Sequence, residues 1–227
     1  MKLSNKILIG FFGLAFLYMI VAFTEMRFKG DLHRLTESNS NSESVEFSAI
    51  NYLVLPDLQP RISVHGSDNP RIEIQSISGD LLKNLKYEMA GDTLSINSME
   101  VNDNQQVNLS IYVSKQSFSG LKTVNAGLTI SDLQQETLTI DQNDGWIRLF
   151  GSNKIGKINL KAQNSAYFNL VDGKLDTLTT ELENSEVSIS QPVKLVRGSM
   201  KDDSYLYLIG TEEIQFKKDE SSRLILN

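Results

Sequence analysis

From about Leu121 onward, apolar residues recur in alternating couples, each behind a pair of small or polar residues. The pairs are Ala126-Gly127, Asp144-Gly145, Asn164-Ser165, Asn184-Ser185, Asp203-Ser204 and Ser221-Ser222. The couples behind them are Leu128/Ile130, Ile147/Leu149, Phe168/Leu170, Val187/Ile189, Leu206/Leu208 and Leu224/Leu226. The unit returns roughly every 18 to 20 residues, and a fixed period of that size marks a solenoid. From the second pair on, another strand leads into each pair, at Leu138/Ile140, Ile158/Leu160, Leu178, Val193/Leu195 and Ile214/Phe216. Each coil is therefore expected to carry two short strands with a bend between them. Gly takes positive φ freely, and Asn and Asp take it more readily than other side chains do. That assigns bends to Gly127, Gly145, Asn164, Asn184 and Asp203, and turns Arg148, Asn169, Ser188 and Tyr207 outward.

Ahead of the repeats, alternation at period two covers Ile50/Tyr52/Val54, Ile62/Val64, Ile72/Ile74, Leu85/Tyr87/Met89, Leu94/Ile96 and Val107/Leu109/Ile111/Val113. A turn-rich break, His65 to Pro70, separates the second and third groups. Helical periodicity is confined to a short piece at Gly79 to Asn84. Residues 45–227 read as one all-β domain, in which the strands before Val113 begin or cap the coil. Stacked coils share a core that one coil cannot form alone. Their ends are exposed strand edges, and the end at Leu224-Ile225-Leu226-Asn227 is a candidate contact surface.

The N-terminus breaks this pattern. Residues 7–24 are an uncharged apolar run near the lower length limit for a membrane-spanning helix. Lys2 and Lys6 precede it, which favours a cytoplasmic N-terminus and an exported C-terminal domain. A cleaved signal peptide is the rival, although Ala22-Phe23-Thr24 makes a poor cleavage site. Residues 25–44 are polar and read as a flexible linker. The expected organisation is a cytoplasmic segment 1–6, a transmembrane helix 7–24, a linker 25–44 and a β-solenoid head 45–227. This would be a single-pass protein of a bacterial inner membrane with its head in the periplasm.

Composition narrows the chemistry. Net charge is −6, which argues against a nucleic-acid partner. There is no cysteine, so disulfides, thiolate metal sites, a cysteine nucleophile and a lipid-anchoring cysteine are excluded. Gly151 to Lys157 resembles a phosphate-binding loop, but Ile158 replaces the Mg²⁺-holding hydroxyl. His33 and His65 are the only histidines and lack a third ligand, so no metal site, cofactor or histidine base is expected. Glu183, Asp202 and Glu220 fall at equivalent places in successive coils. They would form either an acidic row able to take Ca²⁺ or a solvated turn region, with Lys201, Lys217 and Lys218 close by. Trp146, Tyr167, Tyr205 and Tyr207 belong to nearby coils, where exposed rings could stack on sugars or cover the coil's corner.

The order of elements also carries a resemblance. A strand ends near Val54, and a turn at Gly66 to Asn69 precedes Arg71-Ile-Glu-Ile74. Gly91-Asp-Thr-Leu-Ser-Ile96 and Val107-Asn-Leu-Ser-Ile111 follow, with Asn/Asp-Ser/Gly repeats after Leu121. This order resembles the head GIN domain family, adhesin-type envelope proteins common in Bacteroidetes. The resemblance implies a right-handed parallel β-helix outside the inner membrane and carries over no catalytic residue. The combined expectation is a non-enzymatic binding, adhesion or scaffolding module whose partner is an envelope protein or a glycan. Arg148, Asn169, Glu183, Asp202, Tyr205 and Tyr207 are its candidate surface binding residues. The alternatives are a carbohydrate-active β-helix enzyme and a polymer-forming, bactofilin-like scaffold.

Overall fold

The computed structural model describes residues 13, 16, 18, 19, 41–58, 61–76, 81–101 and 107–227. The chain forms two units, Met1–Ser40 and Asn41–Asn227. In the first, residues 1–6 and most of the stretches 7–24 and 25–44 lie outside the described residues. Gly13, Phe16, Tyr18 and Met19 are helical and exposed. Among the described residues, no helix is long and apolar enough to cross a membrane; the expected transmembrane helix lies almost entirely outside the described residues.

The second unit is built of strands. In chain order they are β1 (Asn41–Glu46), β2 (Tyr52–Leu55), β3 (Arg61–Ser67), β4 (Arg71–Ser76), β5 (Leu85–Ala90), β6 (Thr93–Met99) and β7 (Val107–Ser114). Then come β8 (Gly120–Ser131), β9 (Gln134–Leu149), β10 (Lys154–Gln163), β11 (Tyr167–Leu170), β12 (Lys174–Glu183) and β13 (Glu186–Ile189). The last four are β14 (Leu195–Lys201), β15 (Tyr205–Leu208), β16 (Glu213–Lys218) and β17 (Arg223–Leu226). β1 begins inside the stretch read as linker, and Asn41–Glu46 pairs with β4.

Parallel pairing winds these strands into a β-solenoid with two stacks. One runs β6, β2, β8, β9, β10, β12, β14, β16. The other runs β7, β3, β8, β9, β11, β13, β15, β17. The long strands β8 and β9 pass through the corner and serve both. On the first stack Thr137, Lys157, Thr177, Leu195 and Glu213 are equivalent, at steps of 20, 20, 18 and 18 residues. On the second, Trp146, Tyr167, Glu186, Tyr205 and Arg223 are equivalent, at steps of 21, 19, 19 and 18.

The N-terminal end is closed by strands of opposite sense. β4 pairs antiparallel with β7 and β1 with β4, while β5 folds back on β6. β6 and β7 therefore form the first coil with β2 and β3 next to them, and β1, β4 and β5 cap it.

The core is a set of rungs. Leu128, Ile147, Phe168, Val187, Leu206 and Leu224 stack in one, and Ile130, Leu149, Leu170, Ile189, Leu208 and Leu226 in the next. Except for Leu224 and Leu226 in the last coil, these side chains are buried, each contributing roughly 1.5–3 kcal/mol. The alternation behind the pairs is thus the core-facing alternation of the second stack.

The structure corrects three local expectations. In the fourth coil Val196, not Leu195, aligns with Leu178, and Met200 with Leu182. The expected Val193/Leu195 couple is one residue out of step, because the inward triple is Val196-Gly198-Met200 and its central member has no side chain. His65 lies in β3 rather than in a turn, and it pairs with Tyr112 and Ser131. Gly127 does not take positive φ. The bends are made by Asn125, Asp144-Gly145, Asn164-Ser165, Asn184 and Asp202-Asp203.

A further row of small residues lines one corner. Ala126 pairs with Gly145, and the row continues through Ala166, Ser185, Ser204 and Ser222. The Ser204 hydroxyl accepts from the Ser185 N–H at 3.3 Å and donates to the Lys201 carbonyl at 2.6 Å. The Ser222 hydroxyl accepts from the Ser204 N–H at 3.2 Å. Buried backbone groups that lack a strand partner are thereby satisfied.

Candidate binding face

Outward residues form rows just as inward ones do, because successive side chains on a strand point to opposite faces. On the second stack one outward row reads Ser63, Thr129, Arg148, Asn169, Ser188, Tyr207 and Ile225. The row beside it reads Gly127, Trp146, Tyr167, Glu186, Tyr205 and Arg223. Four of the six sequence candidates, Arg148, Asn169, Tyr205 and Tyr207, therefore share one face.

Trp146 is the most exposed ring of the face, at 46%. A Cβ added to Gly127 would fall 2.5 Å from the Trp146 Nε1 and 2.7 Å from Cε2. The indole thus lies across the glycine, and Gly127 is a matter of space rather than backbone angle. Tyr167 is also exposed, and its hydroxyl accepts from Asn169 Nδ2 at 3.1 Å. The Tyr205 and Tyr207 rings stack with centroids 6.4 Å apart and planes 10° apart. The Arg223 guanidinium stands 6.0 Å from the Tyr205 centroid, within the usual reach of a cation–π contact.

Glu183 and Asp202 belong elsewhere, at the corner. The equivalent of Glu183 in the next coil is Lys201, not Asp202, so of the two arrangements open to these residues the stacked acidic row is not the one formed. Lys201 Nζ bonds Glu183 Oε1 at 3.0 Å and Asp202 Oδ2 at 3.4 Å. The Glu183 carboxylate holds the Lys201 ammonium above its ordinary range. Lys161, Gln163, Glu181, Glu183, Ser199 and Lys201 line a groove of about 170 Å³ there. Among the described residues no group of three or more His, Asp or Glu is placed to hold a metal ion.

A second polar cluster lies on the same outer face, toward the cap. The Arg71 guanidinium sits 3.5 Å over the Tyr112 ring, and His65 packs 5.3 Å from that ring. His65 Nδ1 is 2.9 Å from Ser131 Oγ, and Ser131 donates to Asp132 Oδ2 at 2.7 Å. Ser131 has one proton and gives it to Asp132, so the Nδ1–H of His65 donates to Ser131. An imidazole that donates to a hydroxyl is not the base that activates it. This cluster is hard to foresee from the chain alone, because 66 residues separate its histidine from its serine.

No family model matches this chain, and no curated protein matches it. Its fold is shared with solved structures. A candidate adhesin from Parabacteroides distasonis aligns with a TM-score of 0.62 at 13% identity, covering 83% of this chain and 94% of that one. A candidate adhesin from Bacteroides fragilis aligns with a TM-score of 0.58 at 8% identity, covering 83% and 97%. A candidate lipid-binding protein from Parabacteroides distasonis aligns with a TM-score of 0.55 at 12% identity, covering 83% and 96%. At such identities the likeness is one of fold, and function must be argued from the surface.

Proposed function

We propose that this chain is a non-enzymatic binding or adhesion module of a bacterial cell envelope, and that the outer face of its second stack is the contact surface. Residues 7–24 hold it at the inner membrane, and the solenoid stands in the periplasm. The observation that carries this reading is the concentration of Trp146, Tyr167, Tyr205 and Tyr207 in two adjacent outward rows, between polar residues. Tyr and Trp offer large rigid contact area with a polar tip. The coil interior is filled by its own rungs of Leu, Ile, Val and Phe, so a ligand meets the outside of the coil. The adhesin names of the Parabacteroides and Bacteroides structures are in keeping with this role.

The test is co-sedimentation of the full chain with isolated envelope fragments. A variant carrying Tyr167→Ala, Tyr205→Ala and Tyr207→Ala, with its cooperative melt retained, should bind at least tenfold more weakly. Equal binding by the folded variant would overturn the reading. Alkaline extraction of membranes tests the anchor separately, since a spanning helix stays with the lipid and a peripheral chain is released.

A further inference from the structure

We infer that the occupant of this face is an uncharged polysaccharide of β-linked pyranose units, lying along the solenoid axis across Trp146, Tyr167 and Tyr205. The inference rests on the reading of the face given above and adds the chemical class of its ligand.

The geometry of the indole comes first. Gly127 adopts no conformation reserved for glycine, yet any side chain there would strike Trp146. The indole reaches over the glycine of the neighbouring coil, and Trp146 still remains 46% exposed. A flat π-face invites a flat apolar partner. A pyranose with equatorial substituents presents one, a sheet of C–H groups edged by hydroxyls, whereas axial linkages bend the chain away from a straight strip.

The spacing comes second. Trp146 and Tyr167 lie in consecutive coils, and Tyr205 lies two coils beyond Tyr167. Parallel strands are about 4.8 Å apart, so the positions that carry these rings recur along the axis at one and two such steps. A linear polymer of flat rings can meet several of them together, which a single small ligand cannot.

The third point is charge. The chain has net charge −6, but these two rows between β9 and β17 carry Arg148, Glu186 and Arg223, two cations and one anion. Nearly balanced charge complements neither a polyanion nor a strongly basic peptide. The polar residues beside the rings are Ser188, Arg148 and Glu186, donors and acceptors suited to hydroxyl groups, while Asn169 is spent on the Tyr167 hydroxyl. The rings are also interleaved with these groups instead of fusing into the contiguous apolar patch expected of a protein–protein core.

Trp146 is the only tryptophan of the chain, so its fluorescence reports on this site alone. The full chain would be titrated with hexaoses of β-1,4-linked glucose, xylose and N-acetylglucosamine, with α-linked maltohexaose for comparison. The expected result is a saturable change in emission, and protection from acrylamide quenching, with at least one β-linked hexaose and not with maltohexaose. Tyr205→Ala and Arg148→Gln, each at least tenfold weaker while melting as the parent does, would support the strip. No response to any β-linked hexaose, an equal response to maltohexaose, or binding indifferent to both variants would overturn it. Envelope fragments that protect Trp146 while every hexaose stays silent would sink the glycan inference and leave the binding face standing. Silence with fragments and hexaoses alike would remove both.

Discussion

Gly198 on β14 approaches Thr180 on β12 so closely that a Cβ on the glycine would fall 1.8 Å from the Thr180 carbonyl oxygen, and Gly198 has φ of +145°. The two are register partners in the rung Ile140, Leu160, Thr180, Gly198 and Phe216. Here an apolar column is interrupted by a buried hydroxyl and then by no side chain at all.

Gly198→Ala should therefore cost about 3 kcal/mol, from a backbone clash and a conformation that L-residues seldom adopt. Urea unfolding measures it. Unchanged stability would mean that β12 and β14 can separate without loss.

Thr180→Val should act in the opposite sense. The Thr180 hydroxyl is buried and finds no hydrogen-bond partner, and an isosteric methyl removes that uncompensated desolvation. The expected gain is roughly 1–3 kcal/mol, read as a higher denaturation midpoint at constant slope.

Asn153 is the counterexample of a buried polar residue with full employment. Its Oδ1 accepts from the Leu133 N–H at 3.1 Å, and its Nδ2 donates to the Phe150 carbonyl at 2.8 Å and the Ile130 carbonyl at 3.4 Å. Asn153→Leu strands the Leu133 N–H and the Phe150 carbonyl, while Ile130 keeps its bond from the Phe150 N–H, and should cost roughly 1–3 kcal/mol per group left unpaired. Amide exchange should show it first at Leu133.

Acid should loosen the fold in two windows. Burial pushes the His65 imidazole below its ordinary 6.5, with Asp132 opposing and Arg71 assisting the shift. The folded state thus holds fewer protons than the unfolded state, so this stability is complete above pH 6.5 and drains as pH falls toward the folded value. Hydrogen bonds from Ser222 and the Asp202 N–H hold the Asp219 carboxyl well below the usual carboxylate value of 3.8. Its contribution is complete above 3.8 and is lost only as pH falls further. Melting temperature against pH should show both declines. His65→Gln should erase the upper one, and Asp219→Asn should flatten the lower, most clearly in amides of the last two coils.

The second stack was legible because its couples, Phe168/Leu170 or Leu206/Leu208, are large, apolar and spaced by two. The first stack was harder to read. Its rungs include Gln142, Thr180, Gly198 and Lys218, so period-two alternation fades where the inward residue is small or polar, and Val193/Leu195 offers a false couple one residue early. The pairing of Glu183 with Lys201 follows from the shift to 18-residue coils. Equal spacing would have put Asp202 nearer to Glu183, whereas the shorter coil moves Lys201 into place. Gly127 was recognised as special for the wrong physical reason, because the partner that demands a glycine is Trp146, one coil away.

The uneven lengths of the coils have a wider consequence. Steps of 18 to 21 residues leave the rungs aligned, so insertions and deletions are absorbed at corners and never reach the faces. Outward rows are then free text on a ruled page, rewritten without disturbing the lines except where a neighbour fills the space, as Trp146 does over Gly127. The coil of a Parabacteroides distasonis protein shares this fold at 13% identity, so most positions change while the stacking stays.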